Sequence, residues 1–268
     1  MQVIGLCRFS YPALGGFQVE HDSTEARCAY LYDPARLEER FRLFETVALP
    51  CLRAQTDPDF TLVVVIGESL PQPHQERLRD MVADIPQIRI EAHPPRQQRP
   101  IMKDILNAAR HDSTAPCLQF RFDDDDAVSV DFVERLRQSI KDCPGLIARN
   151  RTVAVDFNMG FAATFGAEGI RASEIHRPFY TAALGMYVAG RCQQTIMNFA
   201  HQKIGRFMPA ISYSDAPMFV RGLHSSNDSR QKDVKPAEVK PLTPELIGAF
   251  EARFAIRDAA VRQVFSAT

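Results

Sequence analysis

The sequence has no long apolar run and no excess of either charge. No stretch of its 268 residues approaches the roughly 18 consecutive apolar residues that a membrane-spanning helix requires. With 32 basic and 33 acidic residues the formal net charge is -1, so no global positive field is available to attract nucleic acid. The first residues, Val3 to Cys7, have the composition of a strand and not of a leader peptide. We therefore expect no transmembrane segment, no signal peptide and no nucleic-acid partner.

Closely spaced cysteines, which would indicate a zinc site or a redox motif, are also missing. The six cysteines lie far apart and form no C-x-x-C pair: Cys7, Cys28, Cys51, Cys117, Cys143 and Cys192. Most of them have apolar neighbours, which favours buried, reduced thiols over a disulfide framework and predicts a cytoplasmic protein.

Strand and helix patterns alternate over residues 1 to 126. The run Leu62 to Ile66 is apolar at every position, as in a central strand of a parallel sheet that is covered on both faces. Residues 37 to 52, which follow the N-cap and proline pair Asp33-Pro34, repeat apolar side chains at helical spacing. The order β-α-β-α-β-α-β predicts an open α/β sheet, whose ligands bind beyond the carboxyl ends of its strands.

Beyond residue 126 the pattern is mixed. We interpret it as strands and loops that extend the first sheet, with a helix from Thr195 to Ile204. The polar, proline-containing stretch from Asp228 to Lys240 predicts a linker. Thr243-Pro244 is a typical helix start and predicts a C-terminal helix.

Four adjacent aspartates, Asp123 to Asp126, follow the apolar strand that runs from Cys117 to Phe122. We call these four residues the acidic tetrad. Four like charges repel one another, and removing water from them is costly unless a cation compensates them. Mg²⁺ and Mn²⁺ prefer carboxylate oxygens together with substrate phosphates, and in extended backbone Asp123 and Asp125 point the same way. The tetrad therefore predicts a divalent-metal site; a solvated acidic turn or an acidic helix start is the alternative.

The residues around the tetrad resemble a known family of enzymes. The segment Gln119 to Ala127 resembles the D-x-D segment of GT-A glycosyltransferases, and residues 49 to 66 look like a signature of the family 2 relatives. More narrowly, Arg8-Phe9-Ser10, the R-F-D-D-D-D run and Leu223 to Asn227 resemble the bacterial "putative rhamnosyl-transferase" family. The GT-A likeness covers about residues 1 to 130, and the narrower likeness extends to about residue 230.

The resemblance implies a GT-A-like fold, which is an open, mostly parallel sheet flanked by helices, with a mixed α+β acceptor half and a C-terminal helix. It implies one catalytic domain at residues 1–232, with a nucleotide-sugar-binding half (1–126) and an acceptor half (127–232), followed by a linker and C-terminal helix at 233–268. The implied activity is metal-dependent sugar transfer with Mn²⁺ or Mg²⁺. The donor would be a nucleoside diphosphate sugar, of rhamnose by the family's name, and the acceptor a hydroxyl of a saccharide or another compound.

Five residues are predicted to bind the nucleotide sugar. Arg8 ends the first strand, where its guanidinium can stack on a base or hold a phosphate. Glu68 stands where the second strand of family 2 enzymes has its acidic pair. Arg99 and Lys103 flank the start of a helix, whose N-terminus favours phosphate. Asp124 is assigned to the donor as well, and solvated surface side chains are the alternative for the basic residues.

The metal ligands and the general base complete the predicted site. Asp125 and Asp123 are predicted to hold the metal, with His224 as a third ligand, because a neutral imidazole suits Mn²⁺. Asp215, which lies before Pro217 in the acceptor half, is predicted to take the proton from the acceptor hydroxyl. Asp156 and Glu174 are the other candidates for this role.

Two other functions compete with sugar transfer. A nucleotidyltransferase on a similar sheet would need a glycine-rich basic loop after the first strand, and Gly15-Gly16 is too sparse for one. A non-enzymatic cation- or carbohydrate-binding module would bind metal without nucleotide.

Overall fold

The computed structural model describes residues 1–15, 21–224 and 238–267. The strands are β1 (Gln2–Arg8), β2 (Thr61–Gly67), β3 (Ile88–His93), β4 (Cys117–Asp123), β5 (Ala127–Val128), β6 (Thr152–Phe157), β7 (Met159–Gly166), β8 (Gly169–His176), β9 (Leu184–Val188), β10 (Ala210–Tyr213), β11 (Phe219–Gly222) and β12 (Lys240–Pro241). The helices are α1 (Thr24–Leu31), α2 (Pro34–Leu43), α3 (Leu49–Arg53), α4 (Gln72–Val82), α5 (Gln98–Ala108), α6 (Phe132–Asp142), α7 (Pro144–Arg149), α8 (Pro244–Phe254) and α9 (Asp258–Ser266). Within these residues no helix is long and apolar enough to cross a membrane.

The larger sheet has the strand order β10-β6-β9-β4-β1-β2-β3. β1 lies parallel to β2 and β4, and β2 is parallel to β3, whereas β9 runs antiparallel to β4 and β6. The apolar run of β2 is buried from Leu62 to Ile66 because helices cover both faces of the sheet. The expected open, mostly parallel sheet flanked by helices is therefore confirmed.

A smaller sheet, of order β12-β8-β7-β11-β5, is made from the chain that follows the tetrad. The sequence predicted that this part would extend the first sheet, and β6, β9 and β10 do so. β7 and β8 instead form a hairpin that closes at Gly166 and Gly169, where Gly169 has a φ of 93° that favours glycine. The hairpin buries Phe161 against Phe250 and Phe254 of α8, at ring distances of 5.0 and 6.2 Å. These contacts join the smaller sheet and α8 to the same hydrophobic cluster that covers one face of the larger sheet.

The C-terminal part agrees with the predicted helix and adds to it. Thr243 caps α8 by accepting a hydrogen bond from the Leu246 N–H at 3.4 Å, and α9 follows. Most of the predicted linker from Asp228 to Lys240 lies outside the described residues, and the division of the chain into domains stays a prediction.

The helix predicted from Thr195 to Ile204 is wrong. The chain makes two 3₁₀ turns there, at Ile196–Asn198 and His201–Arg206. The Asn198 side chain accepts hydrogen bonds from the Thr195 N–H at 2.9 Å and from its hydroxyl at 3.1 Å. This local side-chain bonding closes a single turn and competes with continued helix.

All six cysteines are free thiols, as the wide spacing predicted. Cys51 is one of the buried thiols: burial raises its pKa to about 12, although hydrogen bonds from backbone N–H groups oppose the shift. Thiols of this kind are inert packing groups at neutral pH.

The tight centre of the larger sheet allows a test of the fold. A Cβ atom at Gly5 of β1 would lie 2.6 Å from the Leu62 side chain and would also strike the Phe120 ring. We expect Gly5→Ala to reduce the free energy of unfolding by about 1–3 kcal/mol, measured by urea denaturation. Gly248→Ala in α8, where no atom lies within 4 Å of the added Cβ, is the matched control and should leave stability unchanged or raise it. Equal effects of the two changes would contradict the packing described for β1.

Candidate functional site

The tetrad lies at the carboxyl end of β4, in the middle of the larger sheet. Along β4 the side chains alternate: Phe120 and Phe122 enter the core on one face, and Arg121 and Asp123 lie on the other. Arg8 of β1 is the register partner of Asp123. Two residues that the sequence predicted for one site are therefore direct neighbours.

Three of the four tetrad residues are buried, which requires compensating charge. The Asp123 side chain keeps 29% exposure, whereas Asp124, Asp125 and Asp126 are 1%, 2% and 0% exposed. A buried carboxylate is tolerated only when it is paired and hydrogen-bonded. Here the pairing comes from two arginines that sequence reasoning missed.

Arg40 of α2 is the first of them. Its Nε donates to Asp124 Oδ2 at 2.9 Å, and its Nη2 also contacts Asp124. Its Nη1 lies 3.5 Å from Asp125 Oδ2 and 3.1 Å from His224 Nε2. The signal in the sequence is an arginine three residues after Leu37, on the face of the helix that was expected to be apolar.

Arg221 of β11 is the second arginine. Its Nη1 donates to Asp123 Oδ2 at 2.9 Å and to Asp126 Oδ2 at 2.8 Å, and it lies 3.9 Å from Asp125 Oδ1. The next residue, Gly222, donates its backbone N–H to Asp126 Oδ1 at 3.0 Å. Burial alone would lower the pKa of Arg221, but the three carboxylates raise it well above its ordinary value.

The pKa values of Asp125 and Asp126 are shifted in opposite directions by this environment. Burial raises the pKa of Asp125, but Arg40, Arg221 and His224 outweigh it and hold that pKa far below its usual range. Burial raises the pKa of Asp126 as well; Arg221 opposes the increase, the neighbouring carboxylates Asp125 and Asp123 add to it, and the pKa stays well above its ordinary value. Nearby positive charge therefore dominates at Asp125, whereas burial dominates at Asp126.

His224, the third predicted metal ligand, lies next to Asp125. Its Nε2 lies 2.6 Å from Asp125 Oδ2, and its Nδ1 lies 3.8 Å from Glu39 Oε2. The distance to Glu39 is that of an ion pair and is too long for a hydrogen bond. The structure thus brings together Asp123, Asp125 and His224, although their role as ligands stays a prediction.

The donor atoms fit a divalent cation. Carboxylate oxygens of Asp123, Asp125 and Asp126 lie within 4.8 Å of one another, so the described residues contain an aspartate triad that could hold a metal. Oxygen donors with one imidazole nitrogen suit Mn²⁺, and the oxygens alone suit Mg²⁺. Asp126 was not among the predicted ligands.

A cleft of about 70 Å³ opens beside Asp123 and is bordered by Arg8, Arg121 and the start of α5. Arg121 forms no hydrogen bond or ion pair with any residue that the structure describes. Burial lowers its pKa; Asp123 opposes this effect, whereas Arg8, Arg99 and Arg221 add to it. The cleft is therefore electropositive, and the N-terminus of α5 adds partial positive charge.

The other residues that were predicted to bind the nucleotide sugar are not among those that line this cleft. Arg99 is exposed in the first turn of α5, and Lys103 lies half-buried one turn later. Glu68 is exposed in the turn after β2, the strand next to β1. Asp124 is buried on Arg40, which leaves it little exposure for direct contact with a donor. Their assignment to the nucleotide sugar stays a prediction.

The predicted general base lies farther from the tetrad. Both Asp215 carboxylate oxygens accept hydrogen bonds from Arg135 Nη2 at 2.9 Å, and these bonds lower the pKa of Asp215. Asp215 follows β10, which is three strands away from β4, or about 14 Å at the usual strand spacing. Asp156 is buried and accepts a hydrogen bond from the Phe179 N–H at 2.7 Å, and Glu174 belongs to β8. The assignment of Asp215 stays a prediction.

Several solved structures resemble this chain at low sequence identity. Residues 1–349 of S. aureus TarS are 10% identical, with a TM-score of 0.43 over 83% of this chain and 60% of that one. The same protein in complex with UDP-GlcNAc is 11% identical, with a TM-score of 0.42 over 85% and 60%. The 4-diphosphocytidyl-2C-methyl-D-erythritol synthase of Anaerococcus prevotii is 10% identical, with a TM-score of 0.36 over 78% and 86%. Scores this low do not by themselves assign a shared fold or function, and the chain spans only about 60% of the TarS fragment.

The family comparison is more extensive. No curated protein sequence matches the chain. The sequence profile of the family described as "Putative rhamnosyl transferase" matches residues 2–236, a range that includes β1, the tetrad, Arg221 and His224. This match confirms the resemblance on which the GT-A expectation was based. The chain belongs to the "Putative rhamnosyl transferase" family of glycosyltransferases.

Proposed function

We propose that this protein is a metal-dependent glycosyltransferase that moves a sugar from a nucleoside diphosphate to an acceptor hydroxyl. The observation that carries the proposal is the convergence of Asp123, Asp125 and His224 beside the electropositive cleft of Arg8 and Arg121. A cation site next to an anion site is what a metal–diphosphate complex requires. The family description supports rhamnose as the sugar.

The metal would be Mn²⁺ or Mg²⁺, held by Asp123, Asp125 and His224, with Asp126 close enough to take part. When bound, such an ion would offset the negative charge that develops on the leaving diphosphate.

The cleft residues would hold the donor. Arg8 and Arg121 present guanidinium groups, which bind phosphate oxygens with two donors each, and Arg99 and Lys103 add positive charge along α5. Glu68 would reach the base or the ribose from the end of β2. The free, mostly buried thiols support the cytoplasm as the proposed compartment, where thiols stay reduced.

The direct test is a turnover assay with a panel of nucleoside diphosphate sugars. Release of the nucleoside diphosphate, dependent on added Mn²⁺ or Mg²⁺, would support the proposal. Consumption of a nucleoside triphosphate and a sugar 1-phosphate, with release of pyrophosphate, would identify a nucleotidyltransferase instead. Metal binding without any nucleotide binding would favour the non-enzymatic module.

Binding of nucleotide and metal should be linked. We expect a nucleoside diphosphate together with Mn²⁺ to raise the melting temperature by more than either compound alone, because both bind only the folded state and share a site. Differential scanning fluorimetry measures this shift. If the nucleoside diphosphate raised the melting temperature by the same amount when a chelator removed the metal, the nucleotide would bind without metal. That result would contradict the proposal.

Asp125→Asn keeps the shape of the side chain and removes one charge from the metal site. We expect loss of transfer while the circular dichroism spectrum stays that of the wild type, and His224→Ala should weaken nucleotide binding only when metal is present. Asp84→Asn, at an exposed ion pair with Arg53, is the matched control and should keep full activity. Activity of Asp125→Asn within a few-fold of the wild type would exclude the metal role of this residue.

Asp215→Asn tests the proposed general base. We expect turnover to fall by about 10²-fold or more, with nucleotide affinity nearly unchanged, because the base acts on the acceptor. Arg135→Gln releases Asp215 from its ion pair and serves as the control, since it should preserve turnover. If Asp215→Asn stayed within a few-fold of the wild type, the role would pass to another group in the acceptor half.

A further inference from the structure

The carboxylates proposed to bind the metal already bind a cation that belongs to the chain. Arg221 Nη1 lies 2.9 Å from Asp123 Oδ2, 2.8 Å from Asp126 Oδ2 and 3.9 Å from Asp125 Oδ1. These three residues are the triad whose ligand atoms lie within 4.8 Å of one another. A single guanidinium nitrogen therefore stands among the oxygens that could coordinate a divalent ion.

The guanidinium and the ion cannot both use these oxygens. Mg²⁺ approaches carboxylate oxygens to about 2.0–2.1 Å, so an ion on Asp123 and Asp126 would lie where Arg221 Nη1 lies. Two cations at such short range in a buried site repel strongly, because little water is present to screen them. Metal binding therefore requires Arg221 to release at least one of its two hydrogen-bonded carboxylates.

Arg40 contacts a different part of the site. Its Nε donates to Asp124, and its Nη1 lies 3.1 Å from His224 Nε2 and 3.5 Å from Asp125 Oδ2. Asp124 does not belong to the triad. Of these two arginines, Arg221 alone contacts Asp123 and Asp126, so its effect on metal affinity should be specific.

A displaced Arg221 needs another anion. Arg221 is only 7% exposed, and a buried guanidinium without a partner is strongly unfavourable. On the cleft side its charged neighbours include Arg121, which offers no negative charge. The diphosphate of a nucleotide sugar, bound in the cleft beside Asp123, would supply the missing anion.

We propose that Arg221 competes with the divalent cation for Asp123 and Asp126, and that a bound diphosphate relieves this competition. The proposal rests on the proposed function and assigns Arg221 the control of metal affinity. The metal alone binds weakly, because the buried arginine must give up at least one of its two hydrogen-bonded carboxylates without gaining another anion. The metal and the diphosphate bind as a pair, because the arginine exchanges carboxylates for phosphate oxygens. Free metal in the absence of donor would then rarely occupy the site.

The experiment measures Mn²⁺ affinity in the absence of nucleotide, by the loss of the electron paramagnetic resonance signal of free Mn²⁺ on titration with protein. The variants are Arg221→Gln and Arg221→Met, which remove the charge, and the matched control is Arg53→Gln at an exposed ion pair outside the site. Arg221→Met fills the buried space with an apolar chain and serves if Arg221→Gln does not fold, as judged by melting temperature. We expect at least one folded variant to bind Mn²⁺ about tenfold or more tightly than the wild type, with Arg53→Gln unchanged.

A second arm measures the coupling with inorganic pyrophosphate as the probe. In the wild type, MnCl₂ and pyrophosphate together should raise the melting temperature by clearly more than the sum of their separate shifts, and this excess should shrink in the Arg221 variant. Mn²⁺ affinity of the folded variant equal to or below that of the wild type would overturn the proposal, and so would an undiminished excess. Neither result would affect the turnover assay with nucleotide sugars, so failure of this inference can be told apart from failure of the proposed function.

Discussion

The structure depends on the compensation of a buried acidic run by two arginines. Arg40 and Arg221 reach the tetrad from positions 84 residues before Asp124 and 98 residues after Asp123. Each ion pair is formed where water is largely excluded, so that removing one partner would leave an uncompensated buried charge. The tetrad thereby ties α2 and β11, which belong to different halves of the chain, to the central strand β4. The smaller sheet is joined to the larger one at this point.

The same arrangement places opposite potentials side by side. Asp125 and Asp126 lie on the inner side of the tetrad, whereas Arg8 and Arg121 border the cleft next to Asp123. A metal–diphosphate complex carries both signs of charge and is complementary to such a boundary. A cation alone is repelled by the arginines, and an anion alone is repelled by the aspartates. Binding of the metal and the diphosphate together is therefore favoured over binding of either one alone.

Strand geometry explains how a single strand serves both the core and the site. Because successive side chains of β4 point to opposite faces, Phe120 and Phe122 anchor the strand while Arg121 and Asp123 face the cleft. The parallel register with β1 then sets Arg8 beside Asp123. At this edge β1 pairs with β4 as far as Asp123, whereas the pairing of β4 with β9 ends at Phe120.

The sequence by itself determined the alternating elements of the first half, the position of the tetrad at a strand end and, through the family resemblance, the grouping of Asp123, Asp125 and His224. These features follow from local periodicity and from motifs, which are properties of neighbouring residues. The tertiary structure alone decided the second sheet, the 3₁₀ turns after Thr195, and the roles of Arg40, Arg121 and Arg221. An arginine in a sequence looks the same whether it is solvated or buried on a carboxylate. Only the packing of elements that are about a hundred residues apart brings that charge to its partner, and with it the balance of charge on which the site depends.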